Sequence, residues 1–175
     1  MTMKRGLRKF VLTAHITFAV GWLGAVAGFL ALAVAGLTSQ DAQMVRAAYL
    51  AMGLTAWFVI VPLSLTSLLT GLVQSLGTKW GLFRNYWVVV KFLIAIFATI
   101  VLLIHTQPIS LLAGAAAETT LSSADLREPR IQLVVAAGAG LLVLLVATTL
   151  AVYKPRGLTP YGWRKQHEQR KVSQP

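Results

Sequence analysis

Four long apolar runs constrain the fold more than any other feature of this chain. They cover about 10–37, 47–76, 86–106 and 131–153. A helix rises about 1.5 Å per residue and the hydrocarbon core of a bilayer is about 30 Å thick, so each run can cross it as a helix. None alternates apolar and polar residues with a period of two, which argues against a transmembrane β-barrel. Composition agrees. Of the 175 residues 57% are hydrophobic and 12% charged, where a soluble domain carries roughly 25% charged residues. The expected architecture is all-α: a bundle of four transmembrane helices over 1–153, then a basic tail over 154–175. The tail contains Pro and Gly and is expected to be flexible, resting on anionic headgroups.

The first run needs separating from a signal peptide. Met1 to Lys9 is basic, and Ala33-Val34-Ala35 has the small residues of a cleavage site. The run of some 28 residues exceeds the roughly 7–15 of a signal core, and it carries His15 and Trp22. A retained transmembrane helix is expected.

Net charge is +11. In a soluble protein that balance would suggest nucleic acid. Here the basic residues flank the apolar runs, so they report topology, and no nucleic-acid partner is expected. Twelve basic residues lie before the first run, between the second and third, and after the fourth; three (Arg46, Arg127, Arg130) lie on the other side. Both termini are therefore expected in the cytoplasm, as an even number of spans requires. No cysteine is present. Disulfides, thiolate metal sites, iron–sulfur clusters and catalytic thiols are excluded. Nor is there a Gly-rich phosphate loop, a His-Glu-x-x-His or a nucleophile elbow.

The short connection Thr38 to Arg46 predicts antiparallel neighbours for the first two helices. Trp80, Tyr86 and Trp87 suit an aromatic belt. The longest connection, Gln107 to Arg130, is expected outside, with Pro108 and Pro129 at its ends and an interfacial helix over Leu111–Ala117. Pro62 is expected to kink the second helix. Gly21/Ala25 and Gly24/Gly28 are small-xxx-small pairs that permit close helix contact, and Gly138 and Gly140 suit the same use. A homo-oligomer through the small face of the first helix is one expectation.

Ionisable groups inside a membrane are costly, and His15, Lys91 and His105 are the three here. His15 lies on the first helix and Lys91 on the third, at similar distances from the cytoplasmic face. Ser67, Thr70 and Gln74, spaced three and four apart, share one side of the second helix at a matching depth. A polar pocket opening toward the cytoplasm is expected, with His15, Lys91, Thr70 and Gln74 as cofactor-binding candidates. The alternative is a snorkelling Lys91 and structural hydrogen bonds. His105 is fourteen residues past Lys91, about 21 Å along the same helix, so His15 and His105 are poorly placed for one haem iron. Met52 and Met44 lie toward the outer face with His105. His105 with Met52 is the candidate metal pair, since imidazole and soft thioether suit haem iron or Cu(I).

His15 followed by Trp22 and Gly24 (H-x6-W-x-G) resembles a pattern of small bacterial membrane proteins. These include the copper-resistance CopD domain and the HemJ type of protoporphyrinogen oxidase. Thr70-Gly71-Leu72 is similar to their Ser/Thr-Gly-Leu, and Trp87-x3-Lys91-Phe92 to their Trp-Lys opening of the third helix. The chain as a whole looks most like a family of four-helix bacterial integral membrane proteins, on Gly81-Leu82-Phe83-Arg84 to Lys91, His105-Thr106-Gln107-Pro108 and Lys154-Pro155-Arg156-Gly157. The HemJ-like resemblance implies b-type haem, with His15 as axial ligand and Lys91 near the porphyrin propionates or substrate carboxylates. The CopD-like resemblance implies copper handling by His105 and Met52. The expectations are thus a multi-pass protein of a bacterial inner membrane with one of three roles: haem- or porphyrin-linked redox, metal or small-solute transport, or a non-catalytic scaffold subunit.

Overall fold

The structure is a computed structural model that describes residues 3–77, 82–118, 126–153 and 157–172. Lys79, Trp80, Asp125 and Lys154 to Arg156 lie outside these, so that part of the expected belt and of the charge count has no structural counterpart here. The described chain is helical: α1 (Arg5–Thr38), α2 (Ala42–Thr55), a π-turn (Ala56–Ile60), α3 (Val61–Leu76), α4 (Tyr86–Ala117), α5 (Arg127–Tyr153) and α6 (Pro160–Val172). Among the described residues, β pairing is confined to an isolated bridge between Asn85 and Leu158. Four helical stretches are long and apolar enough to cross a membrane: α1, α2 through α3, α4 and α5. This is the architecture of a multi-pass membrane protein.

The four stretches form a ring in which α1 neighbours α2–α3 and α5, and α4 neighbours the same two. α1 and α4 run parallel on one diagonal of the bundle. The end that carries the termini is well defined. Met3 N–H donates to the Gly77 carbonyl, and Thr159 and Gly157 bond to the 83–86 segment.

Several boundaries differ from those expected, each for a local reason. α2 starts at Ala42 rather than near Ala47, because Asp41 Oδ1 caps the helix by accepting from Gln43 N–H at 2.9 Å. α1 starts at Arg5, with Lys4 at the N-cap and Gly6 tolerated in the first turn. Pro62 lacks an N–H, and its ring crowds the carbonyl of the preceding turn; the helix accommodates this through the π-turn directly before it. Pro108 was expected to punctuate the end of the third span, but it lies inside α4. The helix continues because Ile109, Leu112 and Ala116 extend its buried face, and that packing outweighs the single lost hydrogen bond. The Leu111–Ala117 stretch is thus the last part of α4 and not a separate interfacial helix.

The tail also differs from expectation. It forms α6, held against the 83–86 segment. Thr159 Oγ1 donates to the Phe83 carbonyl and accepts from Gly162 N–H at 3.1 Å. The latter contact is a helix N-cap, which is why the basic segment is helical and docked.

The core lies away from the termini: Tyr49, Met52, Leu112 and Leu133 are its largest fully buried side chains. Gly36 is required there, since a Cβ at that position would stand 2.8 Å from the Tyr49 ring. The small pairs behave otherwise than expected. Added Cβ atoms at Gly24, Gly28, Gly138 and Gly140 would meet nothing within 4 Å, so these glycines are not close helix contacts within the chain. Apolar surface instead faces outward on all four spans (Phe58, Leu69, Phe97 and Leu142 among others), as a lipid-exposed bundle requires.

Candidate functional site

α1, α3 and α4 bring three of the four expected cofactor residues together. His15 Nδ1 lies 3.2 Å from the Ser67 carbonyl and 3.2 Å from Thr70 Oγ1. A carbonyl can only accept, so Nδ1 carries the proton and donates. Thr70 gives its own hydroxyl proton to the Thr66 carbonyl at 2.7 Å, leaving its lone pairs to face Nδ1–H. The neutral imidazole therefore presents its lone pair at Nε2. Lys91 Nζ stands 3.5 Å from that atom and donates to it. His15 and Lys91 thus meet across the bundle diagonal, beside the Ser67–Thr70 turn of α3.

The site owes its closeness to Gly71. A Cβ there would stand 3.0 Å from His15 Cε1, so any larger residue would displace the imidazole from its two acceptors. Sequence spacing placed Ser67, Thr70 and Gln74 on one face; it gave no reason for Gly71 beyond the resemblance of Thr70-Gly71-Leu72. Gln74 follows Thr70 by one turn toward the termini. Its Oε1 is buried and has no hydrogen-bond partner among the described residues. A buried unsatisfied amide is costly, so Gln74 is an open position on the polar face.

The second expected pair is not assembled. His105 Nδ1 donates to the Val101 carbonyl of its own helix at 2.8 Å and the ring lines a cavity among α1, α4 and α5. Met52 is fully buried in the apolar core and is not among the residues lining that cavity. Register explains the separation. Gly53 of α2 passes against Ala113 of α4, and Trp57 Nε1–H donates to Ser110 Oγ at 3.3 Å. Met52 therefore sits level with the Ala113 region, eight residues or about 12 Å beyond His105. The two side chains are therefore directed to different levels of the bundle, Met52 into the apolar core and His105 into the cavity. Met44 is exposed on the first turn of α2. Among the described residues no group of three His, Asp or Glu side chains is gathered for a metal ion.

The two histidines of the long apolar helices are well apart, as their spacing implied: His15 is level with Lys91, and His105 is fourteen residues further along α4. No family model, curated protein or solved structure matches the chain.

Proposed function

We propose that this chain is a bacterial inner-membrane protein with both termini in the cytoplasm, binding a carboxylate-bearing tetrapyrrole at the His15–Lys91 site. The twelve-to-three bias of basic residues supports the orientation. The resemblance to HemJ-type proteins supports the class of ligand. The observation that carries the reading is the fixed tautomer of His15. Its Nδ1–H is committed to the Ser67 carbonyl and Thr70, which leaves Nε2 as the ligating atom, the usual arrangement of a metal-bound histidine. The donor set suits the group in other respects as well. Lys91 supplies a cation for a propionate, and its four-methylene stem allows the ammonium to leave Nε2 for a carboxylate. Gln74 offers an unpartnered amide oxygen, a hydrogen-bond acceptor, on the same face of α3. Bound b-type haem would supply one-electron redox chemistry at its iron. The protein's share is to hold the imidazole tautomer, neutralise the propionate and exclude water.

The test is an absorption spectrum of protein purified from its own membranes, oxidised and then reduced with dithionite. A Soret band that shifts on reduction and disappears in His15→Ala is the expected result. A flat spectrum with no iron by elemental analysis overturns the reading.

A second reading rests on its own observation. Both ring nitrogens of His15 already have partners within the chain, as they would if the cluster only fixed helix packing. On that reading His15→Ala lowers stability and removes no ligand.

A further inference from the structure

α6 is the most polar of the described helices and lies outside the His15 site. Its 13 residues include Arg164, Lys165, Arg170 and Lys171 against Glu168. A helix this short is marginal in water by itself, so the contacts that hold it also orient it. Thr159 Oγ1 caps it, and the buried Gly162 lies so close to the Arg84 carbonyl that a Cβ would collide with it. A helix turns about 100° per residue. Gln166 thus follows Gly162 on the docked side, and it is half-buried. Arg164 stands on the opposite side, flanked by Trp163 and Lys165, and all three are exposed.

The start of α6 is at the level of the headgroups. α4 has 32 residues, or about 48 Å of helix, against roughly 30 Å of hydrocarbon and about 40–45 Å with the headgroups included. Tyr86, the first residue of α4, therefore lies in the headgroup layer. Its N–H donates to the Gly157 carbonyl at 3.3 Å, and Thr159 N–H donates to the Arg84 carbonyl at 3.1 Å. These bonds set the first turn of α6 at the same depth. Lys165 follows Pro160 by five residues, about 8 Å along the helix, which is within a Debye length at physiological salt. Tyr86, Tyr153, Tyr161 and Trp163 are all exposed at this end of the bundle. Rings with an apolar body and a polar edge collect at the membrane–water boundary.

We propose that α6 binds the phosphates of anionic phospholipids through Arg164 and Lys165, with Trp163 and Tyr161 seated among the headgroups. The contact is made by a fixed face of a docked helix and not by a flexible tail. Lys165 gives one proton to Tyr161 Oη at 3.1 Å and keeps two for phosphate oxygens. His167 stacks on Trp163 with ring centroids 5.9 Å apart, which braces the indole. A soluble polyanion would answer the charge but would leave the aromatic ring at headgroup depth without a purpose, so the partner is a lipid surface. The proposal does not depend on the tetrapyrrole reading, because no residue of α6 belongs to the His15 cluster.

The test is hydrogen exchange of the α6 amides in the full-length protein. It is carried out in nanodiscs of phosphatidylcholine alone and of phosphatidylcholine mixed with phosphatidylglycerol. Headgroup contacts must break before α6 opens, so exchange is expected to be slower in the mixture. A basic residue at an anionic surface contributes about fivefold. Arg164→Gln/Lys165→Gln is therefore expected to lose about 25-fold of the slowing. Arg5→Gln/Arg8→Gln removes the same charge from exposed positions at the start of α1 and is expected to keep the slowing in α6. The comparison of the two lipids in the parent chain needs no variant, so the test stands even if a variant fails to fold. Equal exchange in the two lipids overturns the proposal. So does an equal loss in both double variants, which would mean attraction by bulk charge. An oligonucleotide or polyglutamate that slows α6 in phosphatidylcholine discs as much as phosphatidylglycerol does would overturn it in favour of a soluble polyanion.

Discussion

At the end of the bundle that carries the termini, His15, Thr70 and Lys91 fill the space between α1, α3 and α4 with nitrogen and oxygen. Further along the same helices, Tyr49, Met52, Leu112 and Leu133 fill it with carbon and sulfur. The two regions are built from the same four spans, yet different forces hold them. In a bilayer the lipid tails are as apolar as leucine, so apolar helix contacts depend on close packing rather than on escape from water. The apolar region is therefore sensitive to volume. The polar region is sensitive to hydrogen-bond geometry, and it spends packing density on groups that a hydrocarbon core does not need. Stability should reside mainly in the first region and ligand chemistry in the second.

The largest expected effect comes from truncation in the apolar region. Leu112→Ala is expected to cost about 2–5 kcal/mol, the range for a fully buried leucine whose site cannot collapse. Reversible unfolding in mixed micelles of increasing SDS fraction measures it. A cost no greater than that of a substitution at the lipid-facing Leu142 would remove the distinction between the two regions.

Next comes Gly36→Val. The added side chain meets the Tyr49 ring well inside van der Waals distance, and overpacking of this kind costs about 1–3 kcal/mol. The same unfolding experiment checks it. Gly24→Val, where an added Cβ meets nothing within 4 Å, is expected to be near neutral in the monomer. The contrast between the two glycines sharpens the assignment of which small residues pack.

Lys91→Met should affect stability by under about 1 kcal/mol, since replacing a half-buried charge with an apolar chain of similar length is often neutral. It should, however, alter the environment of His15. Nitrogen NMR of labelled histidine is expected to show the Nδ1–H tautomer in the parent chain, with the Nε2 resonance moving on loss of the Lys91 donor. An Nε2–H tautomer in the parent would contradict the donation to Ser67.

The smallest effect is expected at Thr159→Ala. Loss of this cap should cost about 1 kcal/mol locally and leave the four spans intact. Hydrogen exchange should speed up within α6 and nowhere in α1 to α5. Uniform exchange changes would mean that α6 is part of the bundle's stability and not an attachment to it.

Much of this architecture was legible in the sequence. Run length and apolarity required four membrane-crossing helices, because hydrocarbon leaves backbone polar groups no partner outside the helix. Helical periodicity put Ser67, Thr70 and Gln74 on one face, and counting residues from the charged ends put His15 and Lys91 at one depth. The same counting separated His15 from His105. What failed was inference from single residues. Pro108 read as a stop, yet lies inside α4, because Ile109, Leu112 and Ala116 pack behind it. Gly24 and Gly28 read as close helix contacts, yet within the chain it is at Gly36 and Gly71 that neighbours press on the backbone.

Periodicity and depth are properties of one helix and its solvent, and a sequence carries them in full. It therefore determined the number of spans, the level of each polar group and the helix face that bears it. Register between helices is set by how distant side chains fit together, and only the tertiary structure decided that. The meeting of Gly53 with Ala113 separates Met52 from His105. The diagonal pairing of α1 with α4 lets Lys91 reach His15, and the cavity among α1, α4 and α5 exists only where three surfaces fail to close. The first two outcomes depend on pairs of residues 60 and 76 positions apart, and no local pattern records which pairs will touch.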